Sequence, residues 1–185
     1  DNIPVFEPGL KEIVARVRNK NLFFTQNLED SIKNADIIFI SVNTPTKTKG
    51  LGAGLAIDLK WIDKSAREIS KYAKGETIVV EKSTLPVKTA STIKKILDST
   101  RNEKVSYPNN KIFHVLSNPE FLAEGSAIND IEDPDRVLIG GEDKKAIEVL
   151  SNIYKRWIKK EKILTTNLWS SELSKLISNA FLAQR

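Results

Sequence analysis

Two carboxylates, Glu120 and Glu124, stand four residues apart in SNPEFLAEG, residues 117–125. One turn of helix would bring both to the same side, and a carboxylate placed beside a hydroxyl can accept its proton. Lys175 and Asn179 repeat the spacing near the end of the chain. An ammonium and an amide one turn apart could hold a sugar hydroxyl or a developing oxyanion. A third group, Ser83-Thr84-Leu85-Pro86, sets two hydroxyls just ahead of a helix start, a favourable place for an anion or a hydroxyl contact. Each pattern also has a plainer explanation. Asn118, Pro119 and Gly125 match an N-cap, a first-turn proline and a C′ glycine, which would make Glu120 an ordinary first-turn acid. Thr84 can simply cap its helix, and Glu172 with Lys175 can be a surface ion pair of little worth. Residue types and spacing leave these alternatives open.

The elements that must position these groups alternate along the chain. Short β-rich runs are LFFT (22–25), DIIFISV (36–42), TIVVEKS (77–83), KIFHVLS (111–117), RVLIG (136–140) and KILTT (162–166). Helical patterns lie between most of them. After Asp58, a natural N-cap, the apolar residues Leu59, Ile62, Ala66, Ile69 and Ala73 recur at helical spacing until Gly75 stops the segment. Residues 86–98, 143–156 and 168–185 carry comparable faces; in the last, Trp169, Leu173, Leu176 and Ala180 form the apolar stripe. This alternation predicts a mainly parallel sheet covered by helices, an α/β doubly wound fold. IIFI and TIVV are apolar on both faces, as strands buried on both sides should be. Ligands of such sheets gather outside the carboxyl ends of the strands. The unusual sequence falls there: VNTPTKTKGLGAG (42–54), STLP (83–86) and NPEFLAEG (118–125). GLGAG is not the G-x-G-x-x-G fingerprint, and alone it reads as a flexible loop. Residues 99–110 are expected to form an exposed insertion.

Bulk properties remove several function classes. The 185 residues contain no cysteine, which excludes disulfides, thiolate metal sites and a thiol nucleophile within this chain. A reducing compartment, and hence the cytoplasm, fits. No apolar run reaches the length needed to span a bilayer. The net charge of +5 is spread thinly apart from Lys155, Arg156, Lys159, Lys160 and Lys162. That cluster reads as a solvated helix end, with no nucleic-acid motif beside it. His114, the only histidine, lies in the apolar run IFHVL and reads as structural. A chain of this length with no methionine points to a piece of a larger protein.

VNTPTKTKGLGAGLAIDL, EKSTLPVKT, LSNPEFLAEGSAI, DPDRVLIGG and KILTTNLWSSELSKLISNAFLAQR together resemble the UDP-glucose 6-dehydrogenase family, nearest its eukaryotic type. The likeness runs from about Pro4 to Arg185. It implies oxidation of the C6 hydroxymethyl of UDP-glucose to a carboxylate at the expense of two NAD+, with no metal. It also implies that residues 1–166 are part of a Rossmann-type NAD-binding domain and that residues 167–185 begin a long central helix. Carried over by position, Val42, Asn43, Thr44, Pro45, Thr46, Ser83, Thr84 and Leu85 would line the cofactor site, with Glu124 nearby. Glu120 would handle protons, Lys175 would stabilise the oxyanion at C6, and Asn179 would help hold the sugar and the reactive water. Thr84 would join these three in the catalytic set. Phe121, Leu122, Ala123 and Glu124 would complete the substrate pocket. The family's glycine fingerprint and the strands around it would precede Asp1, and its nucleophilic cysteine and uridine-binding domain would follow Arg185. In the strand order 3-2-1-4-5-6, LFFT would be strand 3 and DIIFIS strand 4, leaving the sheet incomplete. The 185-residue chain by itself is therefore expected to be inactive and to bind NAD weakly. The resemblance further implies a dimer or hexamer at full length, and no nucleic-acid or membrane partner. A dehydrogenase of GDP-mannose or of a UDP-N-acetylhexosamine, or a non-catalytic truncated module, are the alternatives.

Overall fold

The computed structural model describes residues 3–99 and 111–184. In chain order it contains α1 (Leu10–Val17), α2 (Leu28–Lys33), β1 (Ile37–Ile40), α3 (Lys60–Tyr72), β2 (Glu76–Glu81), α4 (Thr89–Ser99) and β3 (Ile112–Ser117). There follow α5 (Ala127–Glu132), β4 (Val137–Gly140), α6 (Lys144–Tyr154), a single 3-10 turn (Lys160–Lys162), β5 (Ile163–Thr166) and α7 (Leu168–Gln184). The strands form one sheet in the order β1-β2-β3-β4-β5. Its pairs are parallel except β3 with β4. This is the mainly parallel, helix-covered sheet that the alternation predicts.

The helices start and pack as their sequences dictate. The Asp58 carboxylate accepts from the Lys60 N–H at 3.0 Å, just ahead of α3. Ile62, Ala66 and Ile69 then face inward, and Gly75 turns the chain at φ +66°. Asp143 caps α6 through the Ala146 N–H at 2.8 Å. The twofold alternation of β2 divides its side chains between two cores. Val79 joins Ala66, Ile69, Ile93 and Leu97 beneath α3 and α4, while Val80 joins Leu116, Ile139 and Leu150 beneath α6. Each fully buried aliphatic side chain contributes about 1.5–3 kcal/mol relative to exposure.

The one antiparallel contact has a consequence for the site. Ser117, the last residue of β3, pairs with Gly140, the last of β4. Because β4 runs the other way, its first residues project past the end of β3. Arg136 and Val137 thus enter the space outside the carboxyl ends of β1, β2 and β3. Helix α7 crosses close over β4, and Gly140 permits this approach. A Cβ there would sit 2.4 Å from the Ser171 Cβ and 2.8 Å from the Asn167 carbonyl.

Several expectations are corrected. LFFT is not a strand: apart from an isolated bridge from Leu22 to Arg18, it pairs with nothing among the described residues. The N–H groups of Lys20, Asn21 and Leu22 instead close the end of α1 on the Val17 carbonyl, and Phe23 and Phe24 face solvent. NPEFLAEG is not a helix start. Residues 118–123 are irregular, a turn follows, and α5 begins only at Ala127. Asn118 is used as a buried anchor, so the one-turn relation between Glu120 and Glu124 does not exist. The apolar stripe expected of α7 is turned outward at Trp169 and Leu173, and Leu168, Ser171 and Glu172 are buried instead. The insertion expected at 99–110 lies, beyond Ser99, outside the described residues.

Candidate functional site

The site begins where β2 ends. Alternation sends Glu81 into the α3/α4 core and turns the next residue, Lys82, to the opposite face of the sheet. The N–H groups of Lys82 and Ser83 both donate to the Ile40 carbonyl, at 3.0 and 3.3 Å. The Ser83 hydroxyl donates to the Val42 carbonyl at 2.7 Å, and the Thr44 hydroxyl to the Thr84 carbonyl at 3.4 Å. These bonds stitch the loops after β1 and β2 into one wall. Behind it lies a polar cavity of about 290 Å³ lined by Ser41, Val42, Asn43, Thr44, Lys82, Ser83, Thr84 and Glu120.

Asn118 fixes the chain beyond β3. Its N–H donates to the Glu81 carbonyl at 2.9 Å. Its amide donates to the Leu138 carbonyl at 2.8 Å and accepts from the Tyr154 hydroxyl at 2.5 Å. Pro119 is buried behind this anchor and Glu120 emerges into the open. A second cavity of about 240 Å³ opens there, walled by apolar groups such as Phe39, Phe121, Leu122, Val137 and Trp157. Lys82 and Glu120 line both cavities, so they mark the seam between them. Phe121 carries two cations on its ring: the Arg136 guanidinium 4.4 Å and the Lys175 ammonium 5.1 Å from the centroid. Their attraction to the ring holds both beside Glu120.

The electrostatics follow from this crowding. Burial pushes the Lys82 ammonium down to about 8, against the pull of Glu120 and with help from the charge on Lys175. Lys175 is also lowered by burial, again opposed by Glu120, with Arg136 adding to the shift. On the other face, burial and the nearby Glu172 carboxylate raise Glu81 to about 9, so it is protonated at neutral pH and shares a hydrogen bond with Glu172. Glu172 itself accepts from the N–H groups of Lys88 and Ala90, at 2.7 and 2.8 Å. It is therefore no surface partner of Lys175. It also satisfies the start of α4, so that helix N-terminus is not free for an anion as the sequence implied.

The predicted residues divide clearly. Glu120, Lys175 and Phe121 come together, and Leu122 lies in the apolar wall. Val42, Asn43, Thr44, Ser83 and Thr84 share the polar wall. Pro45 and Thr46 turn away into an arm, Pro45 accepting from the Asp58 N–H at 2.7 Å and Thr46 bridging to Ile57. Gly50, Gly52 and Gly54 adopt positive φ to build that arm, so they answer to its own turns. The Leu85 side chain is buried in the core, leaving its backbone as the group able to meet a cofactor. Ala123 and Glu124 are exposed and outside both cavity walls, and Asn179 is exposed one turn beyond Lys175. Among the described residues, no cluster of ligands suits a metal ion. His114 sits between Glu76 at 2.8 Å and Asp143 at 3.4 Å, a bridging role inside the fold.

Residues 1–158 match the model of the UDP-glucose/GDP-mannose dehydrogenase family, NAD binding domain. The chain is 57% identical to UDP-glucose 6-dehydrogenase of Gallus gallus over 189 residues, covering 100% of this chain and 37% of that protein. The chain belongs to the UDP-glucose/GDP-mannose dehydrogenase family. It is also 56% identical to UDP-glucose 6-dehydrogenase 5 of Oryza sativa subsp. japonica, covering 100% of this chain and 38% of the relative. It thus spans little more than a third of the length of these curated relatives. A UDP-glucose dehydrogenase from Pyrobaculum islandicum superposes with a TM-score of 0.83 at 32% identity, over 97% of this chain and 40% of that one. The GDP-mannose dehydrogenase of Pseudomonas aeruginosa, solved as a ternary complex, gives 0.82 at 28%, over 98% of this chain and 40% of that one. The fold is that of these dehydrogenases.

Four residues that build this region escape a reading by motif. Lys82 is visible in TIVVEK only once the strand's alternation is carried one residue past its end. Arg136 reaches the site because β4 runs antiparallel, and no local pattern shows that. Tyr154 closes the Asn118 anchor from α6. Glu7, far off in sequence, accepts from the N–H groups of Gly125 and Ala127 at 2.9 and 2.7 Å, pinning the loop that follows Glu120.

Proposed function

We propose that residues 1–166 form part of the NAD-binding domain of a UDP-glucose 6-dehydrogenase and that residues 167–185 begin its central helix. The observation that carries this is Glu120 at the seam of a polar and an apolar cavity, beside Lys175, in a chain 57% identical to such enzymes. The polar cavity suits NAD: the hydroxyls of Ser83 and Thr84 and the amide of Asn43 supply donors and acceptors, and the charged groups Lys82 and Glu120 stand where it meets the apolar cavity. Thr84 and the backbone of Val42 to Thr44 would hold the cofactor, which accepts hydride when bound. The apolar cavity and Phe121 would take the face of the sugar.

Within that arrangement Glu120 accepts the proton of the C6 hydroxyl, and the Lys175 ammonium meets the negative charge that develops on the oxygen. Asn179, one turn further on α7, offers its amide to the sugar and to a water. Once it has passed that proton to solvent, Glu120 serves as base toward the water in the second half of the reaction. Glu124, outside the cavity wall, would contribute by contact with a bound cofactor. At full length the protein is proposed to be a cytoplasmic homo-oligomer, dimer or hexamer, acting on UDP-glucose and on neither nucleic acid nor membrane. Among the described residues no helix is long and apolar enough to cross a membrane.

Substrate choice is the test. The full-length protein is expected to reduce NAD+ with UDP-glucose at a kcat/KM at least about 100-fold above that with GDP-mannose or UDP-N-acetylhexosamines. NADH absorbance reads the rate, and a preference for another sugar nucleotide would refute the proposal.

A further inference from the structure

Lys82 is a charged residue where a buried strand meets the site, and nothing in the chemistry above uses it. A buried ammonium is costly unless it serves a partner. Its surroundings name that partner. From β2 it faces both cavities, and Glu120, beyond β3, faces the same two. The other charged or titratable groups around Glu120 are Lys175 on α7, Arg136 before β4, Tyr154 on α6 and Asp130 on α5. Lys175 and Arg136 are both drawn toward the Phe121 ring. Asp130 is occupied by the Ala123 N–H and the Ser126 hydroxyl, at 2.9 and 3.0 Å. The Tyr154 hydroxyl is given to Asn118. Lys82 is the cation set on the same seam as the carboxylate, on a backbone pinned to β1.

We propose that Lys82 is a positioning residue of the dehydrogenase reaction, its ammonium drawing the Glu120 carboxylate toward the seam between the two cavities that both residues line, an assignment that rests on the dehydrogenase function proposed above. Lys82 and Lys175 then divide the work. Lys82 keeps the base ready before the proton moves, and Lys175 meets the charge left on oxygen afterwards. The attraction is mutual, since Glu120 also favours the charged form of Lys82. Removing the ammonium takes away the charge that aims Glu120, so turnover must fall while binding of sugar and cofactor is kept.

The experiment uses the full-length protein, with NADH formation from UDP-glucose measured between about pH 6 and 10. In Lys82→Met kcat at pH 7 is expected to fall at least about tenfold. KM for UDP-glucose and the Kd for NAD+ should change less than about threefold. Lys82→Arg keeps the charge and should hold kcat within about threefold of the parent. The double variant Lys82→Met with Glu120→Gln should be no slower than Glu120→Gln alone, because residues acting as a unit are not additive. An unchanged kcat in Lys82→Met, or losses that multiply in the double variant, would overturn the assignment. Lys82→Gln repeats the test if Lys82→Met does not fold, and failure of both neutral variants to fold would make Lys82 structural and also overturn it. A wild-type protein with no UDP-glucose-dependent activity would remove the proposed function and this role together, whereas an active wild type with an indifferent Lys82→Met removes the role alone.

Discussion

At the scale of single residues, alcohol oxidation requires a proton acceptor and a cation for the oxygen. The proposed function gives these parts to Glu120 and Lys175, which come from segments more than fifty positions apart and are brought together beside the Phe121 ring. Glu120→Gln in the full-length protein should lower kcat by about 100-fold or more while the Kd for NAD+ stays within about threefold. Rapid kinetics and a cofactor titration check this, and equal effects on both would count against the role. The sequence showed Glu120, Lys175 and the two hydroxyl-bearing loops through their residue types. It suggested a helical relation between Glu120 and Glu124 because Asn118, Pro119 and Gly125 mimic cap chemistry. What overrode that local signal was tertiary: Asn118 is spent on Glu81, Leu138 and Tyr154, partners on three other elements. A buried hydrogen-bond network of this kind leaves no trace in local spacing.

At the scale of elements, the loop carrying Thr84 depends on how α4 and α7 are tied together. Glu172 of α7 holds two N–H groups at the start of α4, and Glu81 of β2 shares its proton with Glu172. Glu172→Ala leaves those donors unsatisfied in a buried setting and should lower unfolding stability by about 3 kcal/mol, read from the denaturant midpoint. Glu81→Gln should do the opposite. Its folded pKa of about 9 lies above the ordinary carboxyl value of 4.5, so the unfolded chain releases this proton first as pH rises. The native state therefore loses stability between those two values, and an amide that keeps the hydrogen bond but cannot ionise avoids the loss. Stability of Glu81→Gln relative to the parent should grow steadily from pH 5 to 9, by on the order of a few kcal/mol. Gly140→Ala would push a methyl group into Ser171 and Asn167 and lift α7 from β4. It should cost about 1–3 kcal/mol and lower turnover with it, since Lys175 rides on the same helix. Most helices and strands were legible from their periodicity, because α3, α4 and β2 bury the faces their patterns show. LFFT failed because a strand needs a neighbour, and its backbone is drawn into the end of α1. The outer face of α7 failed because glycine and serine, which carry little hydrophobic signal, make the closest packing in the region.

At the scale of the whole molecule, the order β1-β2-β3-β4-β5 with one reversed neighbour gathers three loop ends and the start of β4 over a single edge. That convergence turns scattered residues into two adjoining cavities, one polar and one apolar, which the proposed function gives to a cofactor and a sugar face. The class of fold was plain from alternating strands and helices, but the reversal at β4 was not, since RVLIG reads the same in either direction. The chain spans 37% of the length of its Gallus gallus relative and contains no cysteine. The resemblance assigns the second oxidation to a cysteine, so the 185-residue chain alone should form no UDP-glucuronate, checked by chromatography of the reaction mixture. The most direct measurement is the stoichiometry of the full-length protein with limiting UDP-glucose and excess NAD+. Two NADH formed for each UDP-glucose consumed, with UDP-glucuronate as the product, is the result expected. One NADH per sugar, or none, would contradict it.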